Sequence, residues 1–352
     1  MALRPAARRL LALTAPAVLA LTAVAPALPA QANPAGDPAP SLTTGPVDKD
    51  LDGDGVPDLV TVGGTAGLGS GVWSAKGRVS ASTGVGTGRV HTPATNIGLL
   101  GNGVTGNYSP ADFDGAQVLT GRFTGGTEQD FLVYYPGGVN LGGAGIIRGA
   151  GDGTMLNPNL SGNQFSIDSA QLVDAYGNSP LQVANAYDAV GTGDGYPDLI
   201  GISGDAVNGY RLIYHPTIPM PGGYLFKVAL PDTTPTGGTD WQNWSIASTE
   251  LSSGVAIFLR NATTGALYLW TGVTVVDNGD GTGSLSRTQY HVAANWNTGV
   301  ALSTLWAADV NADGVPDLWA VRPDGRARAY LVSGLSATGT ATVVSTLPQR
   351  LV

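Results

Sequence analysis

The chain has 352 residues, 43% hydrophobic and 12% charged, with 52 Gly, 23 Pro and no Cys. The absent cysteine excludes disulfides, iron–sulfur clusters and Cys-ligated zinc, and the apolar content argues against disorder. A formal net charge of −9 disfavours nucleic acid as a partner, because phosphate binding needs clustered cations. Gly and Pro interrupt the chain too often for long helices, which leaves an all-β fold. All but two of the 26 acidic residues are Asp, the exceptions being Glu128 and Glu250. Asp favours turns and metal loops, where Glu favours helices.

In chain order, residues 1–32 read as a signal peptide. Arg4, Arg8 and Arg9 precede an apolar run from Leu10 to Leu28, and Ala30-Gln31-Ala32 forms a cleavage signature. The mature chain is therefore expected to be secreted, extracellular and without a membrane span. Residues 33–42 are a Pro/Ala linker, and residues 43–352 form the folded region.

That region opens on a repeat. Asp50-Leu51-Asp52-Gly53-Asp54-Gly55-Val56-Pro57-Asp58-Leu59 recurs as Asp309-Val310-Asn311-Ala312-Asp313-Gly314-Val315-Pro316-Asp317-Leu318. A half copy, Val190 to Leu199, keeps Asp194, Tyr196 and Asp198, with Asp188 two residues ahead of its first position. A fourth copy, Arg122 to Phe131, keeps little beyond Asp130 and the apolar residue after it. There the Arg122 guanidinium is expected to neutralise Asp130 in place of a metal. Residues 248–269 make a further copy without loop acids, so five units are expected, near 43–105, 106–175, 176–235, 236–295 and 296–352.

In the two complete loops, oxygens at positions 1, 3 and 5 converge, Gly at position 6 permits the sharp turn, and a carbonyl at 7 and an acid at 9 complete an oxygen shell. Such a shell suits Ca²⁺. The expected ligands are Asp50, Asp52, Asp54, the Val56 carbonyl and Asp58, then Asp309, Asn311, Asp313, the Val315 carbonyl and Asp317. Asp188, Asp194, the Tyr196 carbonyl and Asp198 form a degenerate candidate. An EF-hand is excluded, because Thr61 and Ala320 stand where its bidentate Glu is required and β-prone runs follow both loops.

The Asp-x-Asp-x-Asp-Gly-x-x-Asp string before an apolar strand resembles the FG-GAP or VCBS-type repeats of integrin-like β-propellers. The resemblance spans about residues 42–347 and is nearest to the VCBS-like bacterial branch. It implies a β-propeller in which each loop joins the first two strands of a blade.

Strand patterns agree with this. Residues 244–248, 255–260, 267–276 and 285–292 read as four strands of one unit, and 302–309, 318–321, 328–332 and 341–346 as four of the next. Four-stranded blades in a ring limit exposed edges. Five blades are expected, with six or seven as alternatives.

No catalytic constellation stands out: His91, His215 and His291 lie in different units, and no nucleophile-elbow motif is present. The expectation is a non-enzymatic monomer that binds an extracellular glycan or protein, with Ca²⁺ as cofactor. Trp241 and Trp244 are the candidate sugar-stacking residues, and Trp241, in a Gly-rich loop, is expected to be exposed. The alternatives are a calcium-stabilised adhesion scaffold and an extracellular hydrolase or lyase.

Overall fold

The runs that follow the loops are apolar without alternation, as in Phe131-Leu132-Val133-Tyr134 and Leu318-Trp319-Ala320-Val321. Strands of this kind need cover on both faces. The computed structural model describes residues 47–98, 109–224, 227–231 and 233–352. In it five antiparallel blades stand side by side as a five-bladed β-propeller, so that each second strand is packed between neighbours. The expected signal peptide (1–32) and linker (33–42) lie outside the described residues. Among the described residues the α-helix is the single turn Ser169–Leu172, and no helix is long and apolar enough to cross a membrane.

Blade 1 holds β1 (Leu59–Val62), β2 (Val72–Ala75), β3 (Gly77–Val79), β4 (Gly86–Val90) and β5 (Thr95–Asn96). Blade 2 holds β6 (Gln117–Gly121), β7 (Asp130–Tyr134), β8 (Ala144–Ile147) and β9 (Gln164–Ile167). Blade 3 holds β10 (Gln182–Tyr187), β11 (Asp198–Asp205), β12 (Gly209–His215) and β13 (Val228–Ala229). Blade 4 holds β14 (Trp244–Leu251), β15 (Gly254–Asn261), β16 (Leu267–Asp277) and β17 (Gly283–Ala293). Blade 5 holds β18 (Thr304–Ala308), β19 (Asp317–Val321), β20 (Arg326–Ser333), β21 (Thr342–Ser345) and β22 (Gln349–Arg350). In blades 2 to 5 the strands pair in sequence order from the ring centre outward.

Apolar clusters fill the spaces between blades. Leu132, Ile146, Val183 and Leu199 join blades 2 and 3; Ile200, Ile202, Ile257 and Trp270 join blades 3 and 4; Phe258, Leu269, Leu318 and Ala320 join blades 4 and 5. A fourth cluster, with Val60, Val118, Trp306 and Trp319, runs from blade 5 through blade 1 into blade 2 and closes the ring. Inner strands expose backbone groups to the axis, and two glutamines use them. Gln117 bonds both backbone groups of Val183, and Gln182 bonds the Trp244 carbonyl and the Ile246 N–H. The repeated Gln-Val at 117 and 182 is the trace of this clasp in the sequence.

Blade 1 departs from the others. Its sheet is β1-β2-β5, with β3-β4 a separate hairpin, and its loop precedes β1, so among the described residues no strand lies inside β1. The Asp58 N–H bonds the Lys49 carbonyl, at the position where Ala308 pairs with Asp317 in blade 5. Lys49 then adopts φ 65°, which turns the chain aside. Asp48 accepts from the Tyr187 and Thr249 hydroxyls, and Lys49 Nζ donates to the Ser248 and Ala307 carbonyls. These two residues therefore tie blades 3, 4 and 5 across one end of the axis. The seam between blades 5 and 1 is held by the Trp306 indole on the Asp58 carbonyl (2.9 Å), the Trp319 indole on the Gly88 carbonyl (3.0 Å) and the Ala94 N–H on the Leu351 carbonyl (2.7 Å).

Candidate metal centres

The two complete loops share one hydrogen-bond frame. Asp50 Oδ1 accepts the Gly53 and Asp54 N–H groups and its Oδ2 accepts that of Gly55. Asp309 accepts those of Asp313 and Gly314 at 3.1 and 3.0 Å. Asp54 and Asp313 each accept from the residue two positions on, Val56 and Val315, at 2.9 and 2.8 Å. Gly55 at φ 87° and Gly314 at φ 81° make the turn that lets position 1 reach these donors.

The acid at position 9 has a second task. Asp58 accepts from Leu51 in its own loop and from Gly77 at the start of β3; Asp317 accepts likewise from Val310 in its loop and from Val332 in β20. Asp130, in the loop that has lost its other acids, accepts from Thr124 and Gly149. Asp198 accepts from Thr217 and the Tyr214 hydroxyl. The closing Asp thus fastens a loop or side chain to the strand behind it, which explains its persistence where a metal shell is absent. Blade 4 has no such loop: Leu251 pairs with Gly254 across a two-residue turn.

Carboxylate oxygens of Asp50, Asp52 and Asp58 all lie within 4.8 Å of one another. Oxygens at calcium bonding distance from one ion can be at most about 5 Å apart, so this trio fits a Ca²⁺ shell. The accepted N–H groups leave lone pairs, since an ionised carboxylate offers about four acceptor sites. Burial, the largest cause in each case, raises the pKa of Asp50, Asp54 and Asp309 and lifts Asp58 and Asp317 to about 7. A cation would relieve that cost. Lys76 partly does so in the first loop, with Nζ 2.7 Å from Asp52 Oδ2, a bond that raises the Lys76 pKa. No loop motif contains Lys76, so sequence reasoning missed it.

The third loop has a different register from the one its spacing implies. Asp188 accepts from Thr192 and Gly193, four and five residues on, as Asp50 does from Asp54 and Gly55. Asp194 accepts from Tyr196 at 2.9 Å, as Asp54 does from Val56. Asp188 therefore takes the first position and the loop carries two extra residues, with no acid matching Asp52.

Two expectations need correction. Arg122 does not pair with Asp130; its Nε donates to the Thr127 carbonyl, and no Arg122–Asp130 ion pair occurs among the described residues. Trp241 is 0% exposed and Trp244 3%, so neither presents a free stacking face. Both belong to an aromatic cluster with Trp270, and Asp240 pins their turn by accepting from the Trp244 indole and the Asn243 and Asn261 amides. His215 is wholly buried at the end of β12, and burial lowers its pKa to about 4.

No family model and no curated protein matches the chain. Among solved structures it is similar to an Agrocybe aegerita lectin with specific recognition of non-reducing terminal N-acetylglucosamine, at 18% identity over 85% of this chain and 64% of that one (TM-score 0.39). It is also similar to YesX, an exotype rhamnogalacturonan lyase, at 14% identity over 77% of this chain and 56% of that one (TM-score 0.31). The chain spans less than two thirds of the length of either.

Proposed function

We propose that this chain is a secreted, calcium-binding β-propeller that serves outside the cell as a binding module for a glycan or a protein. The convergence of the Asp50, Asp52 and Asp58 oxygens carries the calcium part of the reading. Those three, with Asp54 and the Val56 carbonyl, would hold one ion; Asp309, Asn311, Asp313, the Val315 carbonyl and Asp317 would hold a second. The ion's role here is structural. It neutralises the buried acids and stiffens the loop that leads into β1 and the one that joins β18 to β19, in a chain without disulfides.

The binding part rests on the face opposite these loops. Exposed apolar side chains gather there on neighbouring segments of blades 2 and 3: Val139 and Leu141 after β7, Tyr176 and Leu181 before β10, and Val207 after β11. Tyr176 presents a ring with the Arg211 guanidinium 5.7 Å from its centroid, a surface suited to a sugar. A calcium-stabilised scaffold is the second reading, supported by the same loops.

Thermal unfolding in excess Ca²⁺ and in chelator tests the calcium reading, because a ligand of the folded state raises the midpoint. Equal midpoints would overturn it. A glycan array probed with wild type and Tyr176→Ala tests the binding reading: loss of a signal in the variant supports it, and a blank array with intact calcium dependence leaves the scaffold.

A further inference from the structure

Among the described residues no strand lies inside β1, which leaves space on the axis. A cavity of about 500 Å³ runs there, walled by β1, β6, β10, β14 and β18 and their leading residues. Its size falls in the range of sites for small molecules. The Asp48–Lys49 turn closes it at the face carrying the acidic loops. The other end opens between Thr65, Gly115, Pro136, Leu181 and Ser303.

The charge of the lining is opposite to that of the chain. With 26 acidic residues against 17 Lys and Arg in the whole sequence, the cavity has, among the described residues, Lys49 and Arg260 in its wall and no Asp or Glu. Both cations are 4% exposed. The nearest carboxylate to Lys49 Nζ is Asp48 at 3.9 Å, and that group already accepts from Tyr187, Thr249 and Glu250. Arg260 donates only to backbone carbonyls, of Asn297 and Val300, and its Nε has no partner. Thr120, on the wall flanking the missing strand, is 0% exposed and its Oγ1 has no partner either. Buried cations and hydroxyls left in this state favour an anionic, hydrogen-bonding occupant.

We propose that the axial cavity binds a small organic carboxylate, which enters from the open face and places its charge near Lys49. Arg260 lies nearer the mouth. Its β14 partner is Ser245, whereas Lys49 bonds Ser248, and three residues of strand separate the two levels by about 10 Å. A cation at each level attracts an acid inward and leaves room for a polar body the size of a sugar acid. The site is separate from the calcium loops and shares only Leu181, at its mouth, with the surface around Tyr176; its charged interior is tested apart from the function proposed above by the Lys49 and Thr120 variants below.

Isothermal titration of the calcium-loaded full chain with sodium glucuronate, sodium acetate, glucose and sodium chloride at matched ionic strength tests this. One saturable glucuronate site is expected, with no binding of glucose or chloride. Acetate binding as tightly as glucuronate assigns the site to carboxylates in general; weaker acetate binding assigns it to sugar acids. Lys49→Met and Thr120→Val should each weaken binding, the former at least about tenfold, since a hydrogen bond to a charged group is lost. Leu181→Trp, an exposed substitution at the mouth, provides a variant whose folding does not depend on the buried cation and should also block entry. Absence of a saturable carboxylate signal, equal binding of chloride, or unchanged affinity in Leu181→Trp together with Thr120→Val would overturn the proposal.

Discussion

Loops 50–58 and 309–317 hold their acids on the same hydrogen-bond frame yet differ at three positions, one of them the apolar exchange of Leu51 for Val310. The first has Asp52 at position 3, paired with Lys76, and Gly53 at position 4; the second has Asn311 and Ala312. Counting side chains, four Asp and one Lys give the first set a charge of −3, and three Asp give the second the same −3. The extra acid of the first loop is thus matched by a lysine contributed from the residue between β2 and β3. In blade 5 the residue at that place, one before Val332, is Leu331. The frame is common to both loops and the charge is adjusted locally.

The largest expected effect is shared and tests the common frame. Burial lifts Asp58 and Asp317 to about 7, well above the ordinary carboxylate value of 3.8 that applies when the chain is unfolded. Each group therefore contributes stability that is complete below pH 4 and lost as pH rises through 7. In chelator the urea midpoint should fall over that window, and saturating Ca²⁺, which binds the ionised form, should flatten the fall. The Asp58→Asn, Asp317→Asn double variant should lose most of the slope. A slope that survives it unchanged would assign the effect elsewhere.

Next come single truncations in chelator. Asp58→Ala strands the N–H groups of Leu51 and Gly77 and should cost about 2–4 kcal/mol, with a similar loss for Asp317→Ala. Asp54→Ala leaves only the Val56 N–H without its acceptor, near a solvent-facing turn, and should cost under about 1 kcal/mol without calcium. Denaturation curves that rank Asp54→Ala with Asp58→Ala would break the distinction between fastening and ligation. With calcium, Asp50→Asn and Asp309→Asn should each reduce the titrated stoichiometry from two ions to one. Each should also remove about 2.7 kcal/mol of stabilisation at a hundredfold excess over the dissociation constant.

How much of this was legible in the sequence depends on whether the signal was local. The strands of blades 4 and 5 follow from short apolar runs between turns, and the two complete loops follow from acid spacing. The register of the third loop was hidden because Asp188 holds the amides of Thr192 and Gly193 at the usual offsets, and the two extra residues push Asp194 and Asp198 further along the chain than the repeat spacing allows. Lys49 gives no local warning that it turns the chain with a positive φ, and the bonds that reward the turn come from residues some 200 to 260 positions away. Trp241 misled for a similar reason. Gly237 and Gly238 mark an exposed turn, but the fixed hydrogen bonds of Asp240 swing the next indole into the aromatic cluster.

A smaller effect separates the loops. Lys76→Met should tighten calcium binding in the first loop and leave the second unchanged, because the ammonium competes with the ion for Asp52. Lys76 is 52% exposed, so the attraction is partly screened and a gain of only about three- to fivefold is expected. Titration of the Asp309→Asn background isolates the first site, and the gain should shrink as salt is raised. An equal gain in the second loop would show a general field rather than the local pair.

The smallest effect lies at position 4. Gly53 takes φ 76° at no steric cost, whereas Ala312 is held at φ 55°, where its Cβ crowds the backbone. Ala312→Gly relieves that strain but gives the unfolded chain more freedom, and the two terms oppose one another. The left-handed strain costs roughly 1–2 kcal/mol and the added entropy about 0.4–1, so a net gain of about 0.5 kcal/mol is expected in chelator. Gly53→Ala in the first loop is the reverse exchange and should lose about the difference of the two terms, again roughly 0.5 kcal/mol. A Cβ at Gly53 would meet nothing within 4 Å, so a loss there would come from the backbone alone. Opposite signs in the urea midpoints of these two variants would show that the loops differ by one strained residue; equal signs would mean that Ala312 is accommodated by a backbone shift that Gly53→Ala would share.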